Sequence, residues 1–198
     1  MRRAFHSCLI VVSLTLLIVV PTLVNGQELV PAAYTPAPYG VNLLSLATTY
    51  NSGDIAFGND GHLYVTVGDG GSTFSGVSSD PGNILGSMIR LTADGGIPSD
   101  NPFTFESGES NSVRCNATGI APAGSPAGAK CQEIFAIGLR NPFRFAMDPN
   151  VEDKVRFFVN DVGQAMWEEI SEGGTDFVGA HYGWPAREGP CPNSQTEN

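Results

Sequence analysis

Short runs of alternating apolar and polar residues, broken by Gly and Asp, dominate the chain from residue 51 onward. Asp54-Ile55-Ala56-Phe57-Gly58 predicts a strand, Asn59-Asp60-Gly61 a turn, and His62-Leu63-Tyr64-Val65-Thr66-Val67 a second strand. Asp-Gly between two β-rich runs is a strong hairpin signal, because glycine supplies the positive φ that a tight turn needs. Gly68-Asp69-Gly70-Gly71 then ends the strand in a loop. The same order returns later as Arg144–Met147, the turn Asp148-Pro149-Asn150, Val155–Val159 and the exit Asn160-Asp161-Val162-Gly163. Asp69 and Asp161 are 92 positions apart. Between them Ser87–Thr92 predicts another strand, followed by an Asp94-Gly95-Gly96 turn. Strand-and-turn units recurring every ~40–50 residues predict a β-propeller; a β-sandwich is the alternative this pattern leaves open.

Composition supports an all-β reading. The 198 residues include 24 Gly and 14 Pro, too frequent for long helices, while 41% are hydrophobic and only 15% charged, which excludes intrinsic disorder. A net charge of −10 leaves no basic stripe for nucleic acid and suits a cation or a sugar. Propellers close with 4–8 blades, and residues 50–198 hold about three at this period, so a partial ring or truncated product is expected.

The N-terminus reads as an address. Arg2 and Arg3 precede the apolar run Leu9–Val20, then Pro21 and the small-residue ending Val24-Asn25-Gly26. This predicts a secretory signal peptide over 1–26, an extracellular protein and no membrane attachment after cleavage. The rival reading, a transmembrane anchor, has only 16 residues through Val24 and contains a proline, against the ~20 needed to span. Residues 27–49, proline-rich at their start, form an irregular lead-in to a domain over 50–198. In a secreted chain Cys115 and Cys131, bracketing a Gly/Ala/Pro loop, are expected to pair, leaving Cys191 odd. Asn116-Ala117-Thr118 in that loop is a glycosylation sequon at Asn116.

Four stretches are more specific: Asp60–Gly71, Gly95–Phe103, Gly138-Leu139-Arg140-Asn141-Pro142-Phe143-Arg144-Phe145, and Asp161–Gln164 continuing through Trp167-Glu168-Glu169-Ile170 to Tyr182-Gly183-Trp184-Pro185. In this order and spacing they resemble the glucose/sorbosone dehydrogenase family. Its members are six-bladed β-propellers that oxidise sugars with pyrroloquinoline quinone (PQQ) and calcium, and hedgehog-interacting-like proteins share the domain. The resemblance implies that Arg140 and Asn141 lie on the cofactor. A guanidinium fork suits the carboxylates of PQQ, where a lysine would supply charge without geometry. Read without the family, Arg140 could equally hydrogen-bond loop carbonyls at a strand end. The resemblance also gives Gly163 and Gln164 as carbonyl donors to calcium, and Glu169 as a ligand of a second, structural calcium. The plain alternatives are Asp161 capping a turn and Glu168-Glu169 as solvated acids.

Tyr182-Gly183-Trp184-Pro185 reads as architecture, and His181, where the family has Asn, as a turn residue. The family's proton-accepting histidine falls at Tyr50, before Asn51-Ser52-Gly53. A phenol with pKa ~10 is a poor base near neutral pH. Two readings follow: a secreted PQQ- and calcium-dependent dehydrogenase acting on an aldose's C1 hydroxyl, or a binding propeller of the same family without turnover. A non-functional fragment is the third.

Overall fold

The computed structural model describes residues 53–71 and 76–193. The expected signal peptide, the lead-in and Tyr50 lie outside the described residues. In chain order the strands are β1 (Ile55–Phe57), β2 (Leu63–Val67), β3 (Ser87–Leu91), β4 (Ser112–Val113), β5 (Lys130–Cys131), β6 (Ile134–Ile137), β7 (Pro142–Met147), β8 (Arg156–Asp161), β9 (Glu169–Gly174), β10 (Arg187–Glu188) and β11 (Cys191–Pro192). Helix is confined, among the described residues, to single 3-10 turns at Val77–Ser79 and Thr175–Phe177. The all-β expectation holds. None of the described helices is long and apolar enough to cross a membrane.

Two antiparallel sheets carry the architecture. One has the order β1-β2-β3-β6, the other β7-β8-β9. The hairpin between β1 and β2 forms where Asp60-Gly61 demands it: Gly61 has φ 75°, and the Asp60 carboxylate accepts the amide of His62 at 3.0 Å. Its register pairs Ile55 with Val65 and Phe57 with Leu63. Side chains alternate across β2, and both faces are covered. Leu63, Val65 and Val67 join Ile89, Ile134 and Ile137 in one core, while Tyr64 joins Met88 and Ala136 in another. A strand buried on both faces reads as an apolar run, as β6 (Ile-Phe-Ala-Ile) does.

The first core is closed by the loop that the disulfide ties. Cys115 and Cys131 are bonded with their Cα atoms 5.2 Å apart, and both pack with Ile84, Phe103 and Ala121 against the four-stranded sheet. The second core lies between the two sheets. Tyr64 and Phe135 meet Phe145 and Phe157 there, with ring centroids 5.4–6.2 Å apart and mostly tilted or edge-on, as ring quadrupoles prefer. Only one face of the second sheet is used in this way. Phe145, Phe157 and Val159 point inward, while Arg144, Asn160 and Ile170 share a register row on the exposed face.

Candidate active site

The Gly138–Asn141 loop joins the two sheets. Gly138 has φ 81°, and a Cβ there would come within 2.4 Å of the His181 ring, so both conformation and space call for glycine. Leu139 is fully buried and anchors the loop. Asp161, the last residue of β8, then takes both following amides: Arg140 N–H at 2.9 Å and Asn141 N–H at 2.6 Å. From the other side the Asp69 amide donates to the Arg140 carbonyl at 2.8 Å. The Arg140 backbone is held from both directions by two aspartates that the strand-turn repeat puts in matching places.

The Arg140 side chain is held as firmly. Its Nη1 donates to the carbonyls of Val162 and Gly163 at 2.9 and 2.8 Å, and its guanidinium lies 5.5 Å from the Trp184 ring. The Trp184 indole N–H in turn donates to the buried Asp69 carboxylate at 2.9 Å. Arg140 Nε is buried and has no acceptor. Bonding of Arg140 to loop carbonyls is thus present, and it leaves one guanidinium N–H in need of an oxygen.

Asp161 is buried, and this burial pushes its pKa up to about 6. The two amides it accepts pull the other way, Glu169 adds repulsion and Arg140 attraction. It caps the turn.

The calcium-ligand expectation falls on the loop after β8. Gly163 shares its carbonyl with Arg140, and its own amide donates to Glu168 at 3.2 Å. The Gln164 side-chain oxygen Oε1 is buried with no donor, a second unmatched atom in the same neighbourhood of the chain. Glu169, at the start of β9, accepts the Gly189 amide at 3.0 Å; burial raises its pKa, the Gly189 bond lowers it and Glu188 raises it again. One cluster of three metal-ligating side chains within 4.8 Å occurs among the described residues, Cys115, Cys131 and Glu133, and its thiols are joined in the disulfide.

Neither described histidine is poised as a base. His62 Nδ1 pairs with Asp60 at 3.0 Å, and Tyr64 donates its hydroxyl to the same carboxylate at 2.9 Å. Held against this carboxylate, His62 is only partly exposed. His181 accepts the Gly183 amide on Nδ1 at 3.0 Å, which leaves its proton on Nε2, facing Ser79 Oγ at 3.0 Å. Burial lowers its pKa. Serving the Gly183 turn is what it does.

Sequence reasoning misses two contributors. Trp184, architectural by its motif, also lies with its ring against Arg140. Glu188 stands in no motif, although it is one of the most deeply buried side chains. No short pattern marks it, because its partners lie 21–24 residues earlier.

Residues 45–113 match the Glucose / Sorbosone dehydrogenase family. The HIPL1 protein of Arabidopsis thaliana is 34% identical over 168 residues, covering 72% of this chain and 19% of that protein. The aldose sugar dehydrogenase YliI of Escherichia coli is 29% identical over 133 residues, covering 67% of this chain and 28% of that protein. The chain belongs to the glucose/sorbosone dehydrogenase family. It spans between about a fifth and somewhat over a quarter of the length of these curated relatives. A crystal structure described as a putative oxidoreductase (glucose dehydrogenase) from Thermus thermophilus superposes with TM-score 0.51 at 27% identity, over 73% of this chain and 37% of that one. The stacked antiparallel sheets are therefore an all-β arrangement of the glucose dehydrogenase propeller type.

Proposed function

We propose that this chain is the quinone-binding part of a secreted sugar dehydrogenase-like β-propeller, using PQQ and calcium at Arg140, Asn141, Gly163 and Gln164. The observation that carries this reading is the buried Arg140 Nε, which has no acceptor although the amide, carbonyl and Nη1 of the same residue are all matched. A carboxylate is the partner such an N–H lacks. Nη1 on the Val162 and Gly163 carbonyls, with the Trp184 ring alongside, fixes the guanidinium so that little side-chain entropy is lost on binding. Gln164 Oε1 and the carbonyls of the same loop have the hard oxygen character that calcium takes. Glu169 would serve a second, structural calcium, and Asn116 would carry a glycan in the disulfide loop.

Bound there, the quinone supplies a hydride acceptor for an aldose oxidised at C1, in keeping with the aldose dehydrogenase activity named for the Escherichia coli relative. A second reading is favoured by Tyr50, which stands at the position of the family's proton-accepting histidine. In it the chain binds the cofactor extracellularly without turning over sugar. Both readings take the chain as part of a six-bladed ring, of which it contributes about three blades by length. The open outer face of the second sheet, where Ile170 is 75% exposed, supports a further blade packing there.

The test is to add PQQ and calcium to the purified chain, record the quinone absorption, and then supply glucose with a reducible dye. Quinone binding with weak or absent dye reduction is expected. A robust rate with an aldose overturns the second reading, and failure to bind the quinone overturns both.

A further inference from the structure

Loop 163–169 has an internal anchor that the family motifs do not mark. Glu188 Oε1 accepts four consecutive amides, from Gln164, Ala165, Met166 and Trp167, at 2.5, 2.8, 3.1 and 3.4 Å. Successive amides converging on one oxygen form an anion nest, here filled by the chain's own carboxylate. Glu188 is 2% exposed and lies in β10, whose hairpin with β11 seats it. Gly189 at the turn has φ 65°, and a Cβ there would come within 2.6 Å of the Trp167 ring. Any side chain at 189 would push the hairpin off the loop. The Gly189 amide closes the same contact by donating to Glu169 at 3.0 Å.

The consequence follows from peptide geometry. In a trans peptide the N–H of one residue and the C=O of the residue before it point in opposite directions. When the amides of Gln164 and Ala165 turn toward Glu188, the carbonyls of Gly163 and Gln164 must turn away from it. The Gly163 carbonyl is in fact engaged elsewhere, accepting Arg140 Nη1 at 2.8 Å. One buried carboxylate therefore sets the direction of both carbonyls assigned to the cation, one of which, Gly163, is also one of the two acceptors of Arg140 Nη1.

We infer that Glu188 is a positioning residue: by gathering the four loop amides it aims the Gly163 and Gln164 carbonyls at the cation and steadies the Arg140 guanidinium. The cation half of this inference rests on the proposed function; the loop half stands on the hydrogen bonds alone.

The test uses the whole chain with terbium as a calcium probe, read by luminescence sensitised through the nearby Trp167. Hydrogen exchange of amides 164–167 is followed in parallel. Glu188→Ala removes the acceptor, whereas Glu188→Gln keeps a carbonyl oxygen that can accept the same amides without the charge. About tenfold weaker terbium binding and tenfold faster exchange are expected in E188A, equivalent to about 1.4 kcal/mol, roughly the worth of a single hydrogen bond to a charged acceptor. In E188Q both should return to within about threefold of the parent, by the same reckoning. Unchanged exchange and binding in E188A overturn the inference, as does an E188Q variant as impaired as E188A, which would make charge the cause. If the parent chain binds no terbium, the cation reading fails. The exchange data then decide the loop half alone: fast exchange in E188A with rescue in E188Q upholds it, and unchanged exchange overturns it.

Discussion

The two sheets are built from the same strand-turn-strand pattern and are stabilised by different means. The four-stranded sheet is covered on both faces, by the partner sheet on one and by the disulfide-tied loop on the other. The three-stranded sheet is covered on one face, and one end of it is held by carboxylates bonded to backbone amides: Asp161 to Arg140 and Asn141, and Glu188 to the loop 164–167. Apolar burial with a cross-link makes a scaffold that tolerates little change in volume. Carboxylate-to-amide bonding makes a site whose backbone direction is specified group by group, which is what a ligand-binding rim requires.

The largest expected effect comes from the ring both sheets share. Phe157 is fully buried between them, in contact distance of Tyr64, Phe135 and Phe145. Phe157→Ala should cost about 3–5 kcal/mol in urea unfolding and abolish any difference between the sheets. Next is the disulfide. Replacing Cys115 and Cys131 by Ala should cost about 3 kcal/mol, the chain-entropy value for a loop this long, and should loosen the four-stranded sheet first. Hydrogen exchange resolves that order: amides of β2 and β3 should lose protection while those of β7 and β8 keep theirs.

A smaller change belongs to the site. Trp184→Phe removes the indole N–H from the buried Asp69 carboxylate and should cost about 1–3 kcal/mol, the range for a buried acceptor losing its donor. Unlike loss of the disulfide, it should weaken quinone binding as well. The smallest effect is a pH slope on the scaffold side. Burial raises the Glu133 pKa above 4.5, against the opposing pull of the Cys115 amide and Arg114. The folded state then binds the proton more tightly than the unfolded one, so this contribution to stability is greatest below pH 4.5 and falls as pH rises through the folded value. Glu133→Gln should flatten that slope in melts taken between about pH 4 and 7, and an unchanged slope would remove Glu133 as its cause.

What the sequence makes legible follows the same division. β2, β3, β7 and β8 are readable because alternation and Asp/Gly turns specify them locally. β9 is not, since Glu-Ile-Ser-Glu-Gly-Gly has no apolar period. It forms because β8 offers a pairing edge and because Gly173 leaves room for the Phe157 ring, which a Cβ would meet at 2.2 Å. The apolar run of β6 is a usable signal that turn punctuation overshadows. In the site, Arg140, Asn141 and the 161–164 loop can be picked out because they lie in short contiguous motifs. Glu188 cannot, and Trp184, although it stands in a motif, cannot be tied to Arg140, because both act from more than twenty residues away, through backbone amides and a ring face that leave no periodic trace.

The central claim is that the Arg140 guanidinium is set to receive a carboxylate of a quinone. It is tested most directly by titrating PQQ, followed by its absorption, into the parent chain and into Arg140→Lys with calcium present. The account predicts saturable binding by the parent and at least about tenfold weaker binding by the lysine variant, which keeps the charge and loses the fork. Equal affinity in the two proteins, or no binding by the parent, would contradict it.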